Sequence, residues 1–333
     1  MLLIYPAKGH RSISLTIKLE LHTMYKNHLD WSALYMKVLA TGGAGFIGSH
    51  IVDKLIQLGY KVIVVDNLSN GKPENVNPDA EFHLIDTADI KLAQLFAKES
   101  PRFVIHLAAQ ASVQNSLNNP LSDCYSNIVG SLNILECCRR YGVEKIIYSS
   151  TAAVYGEPQY IPIDENHSIL PLSNYGVSKY AAEMYIRLYT SIYGLNHTIL
   201  RYSNVYGPRQ KAESESGVIS IFSEKLYKKE SPVIFGSGNQ TRDFIYVEDI
   251  VEANILALSK ANKQTLNIST NTSTSINELV AAMLDISGLN IKPIYTDSLS
   301  GDILQSTLNN IKAKQLLNWS PKFSLKDGLI KTL

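Results

Sequence analysis

Cysteine is nearly missing from this chain, with Cys124, Cys137 and Cys138 the only ones in 333 residues. Two are adjacent on a stretch with helical periodicity, which argues against a disulfide framework and for a reducing compartment, the cytoplasm. Net charge is just as scarce. Lys and Arg number 31 against 30 Asp and Glu, a formal +1 with no basic block, so neither nucleic acid nor an anionic membrane surface is expected as the main partner. No apolar run approaches the ~20 residues that span a bilayer. The opening Met1-Leu-Leu-Ile-Tyr-Pro-Ala7 is too short for a signal peptide's apolar core, and no small-residue cleavage site follows. No metal is expected, and no internal repeat or low-complexity segment stands out. What remains is 45% hydrophobic and 18% charged, a globular composition long enough for one large α/β domain and a smaller lobe.

The stretch Lys37-Val-Leu-Ala-Thr-Gly-Gly-Ala-Gly-Phe-Ile-Gly48 reads as a buried strand, a glycine turn and a helix start. Gly42 permits the sharp turn, Gly45 lets backbone approach a pyrophosphate, and Gly48 lets the helix pack on the strand; Phe46 and Ile47 open that helix, whose N–H groups face the phosphates. A second apolar run, Lys61-Val-Ile-Val-Val-Asp66, ends in an acid ~20 residues past the glycines, where a carboxylate accepts bonds from both adenosine ribose hydroxyls. Asp66, followed by Asn67, would repel a 2′-phosphate, and no Arg or Lys follows until Lys72. The cofactor is expected to be NAD rather than NADP. A glycine-rich turn alone is often only a tight turn; the flanking strand, helix and acid make the binding reading the stronger one.

From Met36 onward apolar runs alternate with amphipathic segments. Strands are expected near 37–40, 61–65, 81–85, 103–106, 145–149 and 197–201, and helices at 47–58, 91–99, 127–141 and 175–193. This is the rhythm of a Rossmann-type doubly wound parallel sheet, an α/β fold with ligands beyond the carboxyl ends of its strands. After Tyr202, Gly, Pro and Ser become denser, which suggests an interleaved, smaller α/β substrate-binding lobe. The expected division is 36–203 for the NAD-binding domain, with 236–260 returning to it through a helix at 249–258, and 204–235 plus 261–333 for the lobe. Residues 1–35 show neither strand alternation nor a capped helix and read as an extension outside the fold, with Met36 as a natural start.

Tyr175-Gly-Val-Ser-Lys179 carries the chemistry. A phenol titrates near ~10, so it takes an alcohol proton at neutral pH only beside a cation that favours its phenolate. Residues four apart share a helix face, which lets Lys179 and Tyr175 serve one pocket. The commoner fate of such a spacing is a solvated helix face. Thr151 would likewise more often be a strand-end residue bonding backbone.

These residues resemble the extended short-chain dehydrogenase/reductase family, most closely its nucleotide-sugar 4-epimerase branch, of the UDP-glucose 4-epimerase type. The resemblance is carried by Thr41-Gly-Gly-Ala-Gly-Phe-Ile-Gly48, His106-Leu-Ala-Ala-Gln110, Ser149-Ser-Thr-Ala-Ala-Val-Tyr-Gly156, Tyr175 and Lys179, Leu200-Arg-Tyr-Ser-Asn-Val-Tyr-Gly-Pro208 and Gln240-Thr-Arg-Asp-Phe244. It implies that Tyr175 takes the sugar 4-hydroxyl proton, that Thr151 hydrogen-bonds the same oxygen, and that Lys179 holds the nicotinamide ribose and lowers the Tyr175 pKa. A hydride passes to NAD and returns to the opposite face of a 4-keto sugar. Ala108 and Ala109 look like the small residues against the adenosine. His106 and Gln110 read equally as loop packing, and His106 is given only a structural role. Asp86, followed by Thr87, resembles the acid at the adenine edge, although Ile85 stands where the family usually has glycine.

The same resemblance separates reactions and suggests a substrate. Related dehydratases carry an Asp-Glu pair after the threonine and related decarboxylases a Glu. Ala152 and Ala153 cannot exchange protons, which favours epimerisation. Asn204 and Arg242 resemble the groups that hold the nucleotide diphosphate, Asp302 the acid on the uridine ribose, and Ser306 a small residue lining the sugar pocket. For Arg242 the simpler alternative is a surface ion pair with Asp243. Leu299 stands where the family usually has a second phosphate-binding Arg. UDP-glucose and UDP-galactose are the expected substrates, with an N-acetylated pair or UDP-glucuronate as alternatives within the branch. A silent NAD-binding regulatory protein is the alternative from another class. The family implies a homodimer through helices near 127–141 and 175–193, although Met184, Leu188 and Ile192 at helical spacing would more often be core.

Overall fold

The computed structural model describes residues 36–211, 217–298 and 303–333. The expectations for residues 1–35, Leu299 and Asp302 lie outside the described residues.

Each glycine- or loop-bounded apolar run becomes a strand of one seven-stranded sheet. The strands are β1 (Lys37–Thr41), β2 (Lys61–Asp66), β3 (Glu81–Leu84), β4 (Phe103–His106), β5 (Lys145–Thr151), β6 (Asn196–Tyr202) and β11 (Gln264–Ile268). Their order is β3-β2-β1-β4-β5-β6-β11, every pairing parallel. Helices α1 (Phe46–Gln57), α2 (Lys91–Glu99), α5 (Gly130–Arg140) and α6 (Asn174–Tyr193) lie where helical periodicity puts them, within a few residues at each end. Successive strand residues point to opposite faces. Val38 and Ala40 therefore pack with Ile51, Val52 and Leu55 of α1, whereas Leu39 packs with Leu92 of α2 and Ile134 of α5 on the other face. The order reverses between β1 and β4, which opens a crevice above their carboxyl ends.

The structure departs from the sequence reading in two places. Strand β11 joins the main sheet, and Ala313 and Leu317 of α10 (Ile311–Leu317) with Trp319 seal one of its faces, so residues assigned to the lobe from 261 onward partly build the first domain. The apolar run of β11 is broken by Asn267, which is fully buried because other side chains use it. Helices α3 (Val113–Asn118) and α4 (Pro120–Cys124) precede a single π turn at Tyr125–Val129, and only then does α5 begin. The helix expected at 127–141 thus starts inside that π turn.

The smaller lobe has its own core, in which Phe222 of α7 (Val218–Tyr227), Ile234 of β8 (Val233–Phe235) and Met283 of α9 (Ile276–Ser287) meet. Its short strands pair in twos: β7 (Asn204–Tyr206) with β10 (Phe244–Tyr246), β9 (Thr241–Arg242) with β12 (Thr274–Ser275), and β8 with β13 (Ile294–Thr296). Helix α8 (Val247–Ala257) packs with α1.

Candidate active site

The turn after β1 brings the first group together. Gly42 sits at φ +70°, and a Cβ there would lie 2.7 Å from the Ala108 nitrogen, so only glycine lets the loops after β1 and β4 touch. Gly45 is the N-cap of α1; no side chain caps that end and Phe46, Ile47 and Gly48 lead the helix. Asp66 is buried at the end of β2, where its Oδ2 accepts from Ala44 N at 3.0 Å and its Oδ1 from Leu68 N at 2.8 Å. Asn67 donates to Asp86 at 2.7 Å, and Asp86 also accepts from Ala88 N at 2.8 Å. Thr87 follows, buried, its carbonyl accepting from Asn133 at 2.8 Å. An uncapped helix start, a cradle that a Cβ would fill and an acid at the next strand end fit a dinucleotide.

The second group lies at the end of β5. Thr151 ends the strand and its Oγ1 accepts from Ala153 N at 3.1 Å, the local bond expected of an isolated threonine. Ser173 caps α6 by accepting from Gly176 N at 3.1 Å. A Cβ on Gly176 would stand 2.6 Å from the Ala153 oxygen, so glycine alone allows the first turn of α6, with Tyr175, to rest against the turn after Thr151. One turn further, Lys179 is buried; it donates to the Ser149 carbonyl at 2.7 Å and lies over the Tyr148 ring, 4.8 Å from its centroid. Burial lowers its pKa to about 8, against the opposing pull of Asp123 and Glu183. The helix face carrying Tyr175 and Lys179 is therefore turned inward, not solvated.

Several residues that sequence reasoning passed over hold this geometry. Asn127, in the π turn, donates to Gln110 O, Asp123 Oδ1 and Ser178 Oγ at 3.0, 3.1 and 3.0 Å and accepts from Gln110 N at 2.8 Å. Ser178 in turn donates to Tyr175 O at 3.1 Å. Glu183, fully buried, accepts from Ser150 at 2.6 Å and from Arg201 through two bonds at 2.9 and 2.6 Å. Arg201 reaches Tyr155 OH at 2.9 Å, which donates to Asn267 at 2.7 Å. One signal was available: Glu183 stands four residues past Lys179, a third polar residue at the spacing that joins Tyr175 and Lys179.

His106 is a buried structural residue in the same layer. Ala108 N donates to Thr41 Oγ1 at 3.1 Å, which leaves the Thr41 hydroxyl hydrogen for His106 Nδ1 at 2.6 Å. Ser131 donates to Asn127 O, so His106 donates from Nε2 to Ser131 at 3.0 Å. The ring is neutral, its pKa held at about 3 by burial and then by Lys179; His197 is held at about 4, again mainly by burial. Both values lie below the ~6.5 of an unfolded histidine, so between those limits the unfolded chain binds more protons than the fold. Stability is fully present above pH ~6.5 and falls with acidification by up to about 1.4 kcal/mol per pH unit for each ring. Denaturant melts at pH 7 and pH 5 check this; equal midpoints would show that the rings are charged in the fold.

In the lobe, Arg242 donates to Thr241 O and Ile303 O at 2.8 and 2.7 Å, and Ser306 N donates to Thr241 O at 3.2 Å, which places Arg242 and Ser306 side by side. Asp243 is buried and its carboxylate accepts from Thr270 N and Oγ1, Asn271 N and Leu308 N. The acid that a surface pair would need is thus committed to the lobe's interior. Asn204 is exposed at the start of β7 and donates its backbone N–H to Asp243 O at 2.9 Å. Leu308 packs with Val154 and Tyr155, which ties this strip to the turn after Thr151. Among the described residues no His, Cys, Asp or Glu cluster suited to a metal occurs, and no helix is long and apolar enough to cross a membrane.

A family model described as the NAD dependent epimerase/dehydratase family matches residues 38–269. The UDP-glucose 4-epimerase of Thermotoga maritima, solved with UDP-glucose, is 47% identical with a TM-score of 0.88, over 89% of this chain and 97% of that one. The Thermus thermophilus UDP-glucose 4-epimerase, solved with NAD, is 39% identical with a TM-score of 0.85 over 89% and 97%. A UDP-N-acetylglucosamine 4-epimerase from Methanobrevibacter ruminantium, solved with UDP-N-acetylmuramic acid, is 38% identical with a TM-score of 0.85 over 89% and 96%.

Proposed function

The chain belongs to the NAD dependent epimerase/dehydratase family, and from that premise we propose that it interconverts UDP-glucose and UDP-galactose at C4, and the N-acetylated pair as well. It is an NAD-dependent nucleotide-sugar 4-epimerase. The observation that carries the mechanism is Lys179, buried one helical turn from Tyr175 and fixed to the carbonyl of Ser149, two residues before Thr151. Gly42, Gly45, Gly48, Asp66, Asp86 and the Ala108–Gln110 turn would hold the dinucleotide. Bound NAD supplies the redox chemistry at C4.

The chain's own residues handle the proton. Tyr175 as phenolate accepts the proton of the 4-hydroxyl and later returns it to the same oxygen. The Lys179 ammonium favours that phenolate, and after its bond to Ser149 it keeps two N–H donors for the nicotinamide ribose. Thr151 Oγ1 accepts from Ala153 N, which leaves its hydroxyl hydrogen for donation to the reacting oxygen. Ala152 and Ala153 bring no further acid, which suits a reaction with no net elimination. Arg242 and Asn204 would meet the diphosphate, with Asp302 on the uridine ribose. Turnover of a panel of UDP- and dTDP-sugars, with extraction of the cofactor from the purified protein, tests the reading. Release of NADP, or turnover of dTDP-sugars alone, would overturn it.

Ser306 sets the size of the sugar in this reading. A small side chain beside Arg242 admits a 2-N-acetyl group, so both UDP-glucose and UDP-N-acetylglucosamine turn over, and Ser306→Tyr loses mainly the second by steric exclusion. Equal loss of both substrates would show that Ser306 is not the gate.

A homodimer is proposed on an unexpected feature of α6. Met184, Leu188 and Ile192 are exposed at 56%, 47% and 59%, so their stripe is surface and not core. Leu117, Leu121 and Tyr125 are also exposed, on α3, α4 and the π turn, upstream of the expected 127–141. Sedimentation of the wild type is expected to give twice the mass of the chain, and Leu188→Glu a monomer.

A further inference from the structure

Lys179 and Asp123 are both buried, at 3% and 1% exposure, and neither makes an ion pair among the described residues. Lys179 meets a carbonyl and an aromatic face; Asp123, on α4, accepts only from amide groups, Gln110 Nε2 at 2.9 Å and Asn127 Nδ2 at 3.1 Å. A lone charge in such surroundings is strongly disfavoured unless an opposite one compensates it. The two are joined through a short path: the Asn127 amide that binds Asp123 also donates to Ser178, the neighbour of Lys179. We propose that Asp123 is the counter-charge of Lys179, held off from it by Asn127 and Ser178, and so a positioning residue of the proton-transfer site. The inference rests on the reading of Tyr175 and Lys179 as the base.

The other groups facing Lys179 do not replace Asp123. Glu183, one turn along α6, is already engaged by Arg201 and by Arg187 at 2.8 Å. His106 on β4 is neutral, Tyr148 on β5 offers a ring face, and Tyr175 lies a turn before on the same helix. Burial lowers the Lys179 pKa to about 8, and Asp123 is the larger of the two carboxylate influences that oppose it. With a neutral group at 123, the ammonium gives up its proton nearer pH 7 and the Tyr175 phenolate loses its support. Separation by an amide, instead of direct contact, leaves the ammonium hydrogens for other acceptors.

The test is the titration of Lys179 itself, by NMR of cofactor-free protein labelled with carbon-13 at the lysine ε position, its resonance identified by loss in Lys179→Met. Asp123→Asn is expected to lower the Lys179 midpoint by about one pH unit or more, with turnover at pH 7 down about tenfold and KM changed less than ~threefold. An unchanged midpoint overturns the proposal. A lowered midpoint with unchanged turnover keeps Asp123 as the counter-charge and overturns the reading of Lys179 and Tyr175 as the base. Should Asp123→Asn fail to fold, the double variant with Lys179→Met is compared with Lys179→Met alone. Removing both charges is expected to raise the melting temperature above that of the single variant, and a double variant that melts no higher overturns the proposal.

Discussion

Tyr175→Phe is expected to cut turnover by at least ~100-fold, because it deletes the proton acceptor and almost no bulk. Cofactor content and melting temperature should stay near wild type. The backbone of Tyr175 is held by Ser178 and the helix by its Ser173 cap, and neither bond involves the phenol. Lys179→Met is expected to behave differently: rate and cofactor affinity should fall together, since in the proposed mechanism one ammonium serves both the phenolate and the ribose. Steady-state kinetics on the purified variants, with cofactor quantified by extraction, separate the two patterns. Near wild-type turnover by Tyr175→Phe would sink the base assignment.

The second large effect is on stability. Glu183→Gln should destabilise the fold by about 3–5 kcal/mol, the usual consequence of breaking a buried ion pair from one side. Glu183 is fully buried and Arg201 is 2% exposed, so the guanidinium would be left without its anion. The contact to Arg187 adds little, as that side chain is 40% exposed and screened by water. Gln keeps one oxygen for Ser150, but its NH2 would stand where Oε2 now accepts from Arg201 and Arg187, donor facing donor. Denaturant unfolding measures the change directly. A loss below about 1 kcal/mol would mean that the pair is replaceable by neutral hydrogen bonds.

Sequence and structure agree best where the chemistry is local. The strand, glycine turn and helix over 37–58 could be read because each residue's role depends on near neighbours, and Tyr175 with Lys179 because helix geometry fixes their relation. The inward turn of that helix face was not legible, since it depends on Gly176 meeting Ala153. The role of Asn267 was not legible for a related reason. A polar residue in a short run reads as loop, yet here it is buried to bond Tyr155 OH, 112 positions away. Asn127 and Asp123 lie in a π turn and a short helix that no apolar period announces. Arg242 and Ser306 were named singly, but their adjacency comes from the pairing of Thr241 with residues 304–306, which spacing along the chain cannot show.

The late arrival of β11 and Trp319 has a consequence during synthesis. A ribosome adding about 5–20 residues per second needs roughly 3–13 seconds to pass from the end of β6 to the end of β11. Throughout that interval the nascent sheet presents β6 as an open edge, and Tyr155 has not met Asn267. The hydrogen-bonded cluster of Arg201, Tyr155 and Asn267 can thus be completed only once β11 has been made. Trp319, buried with its indole N–H donating to Asp249 O at 3.0 Å, is one of two tryptophans in the sequence. With Trp31 replaced by Phe, its emission becomes an optical clock for the moment when the chain's end seals the sheet.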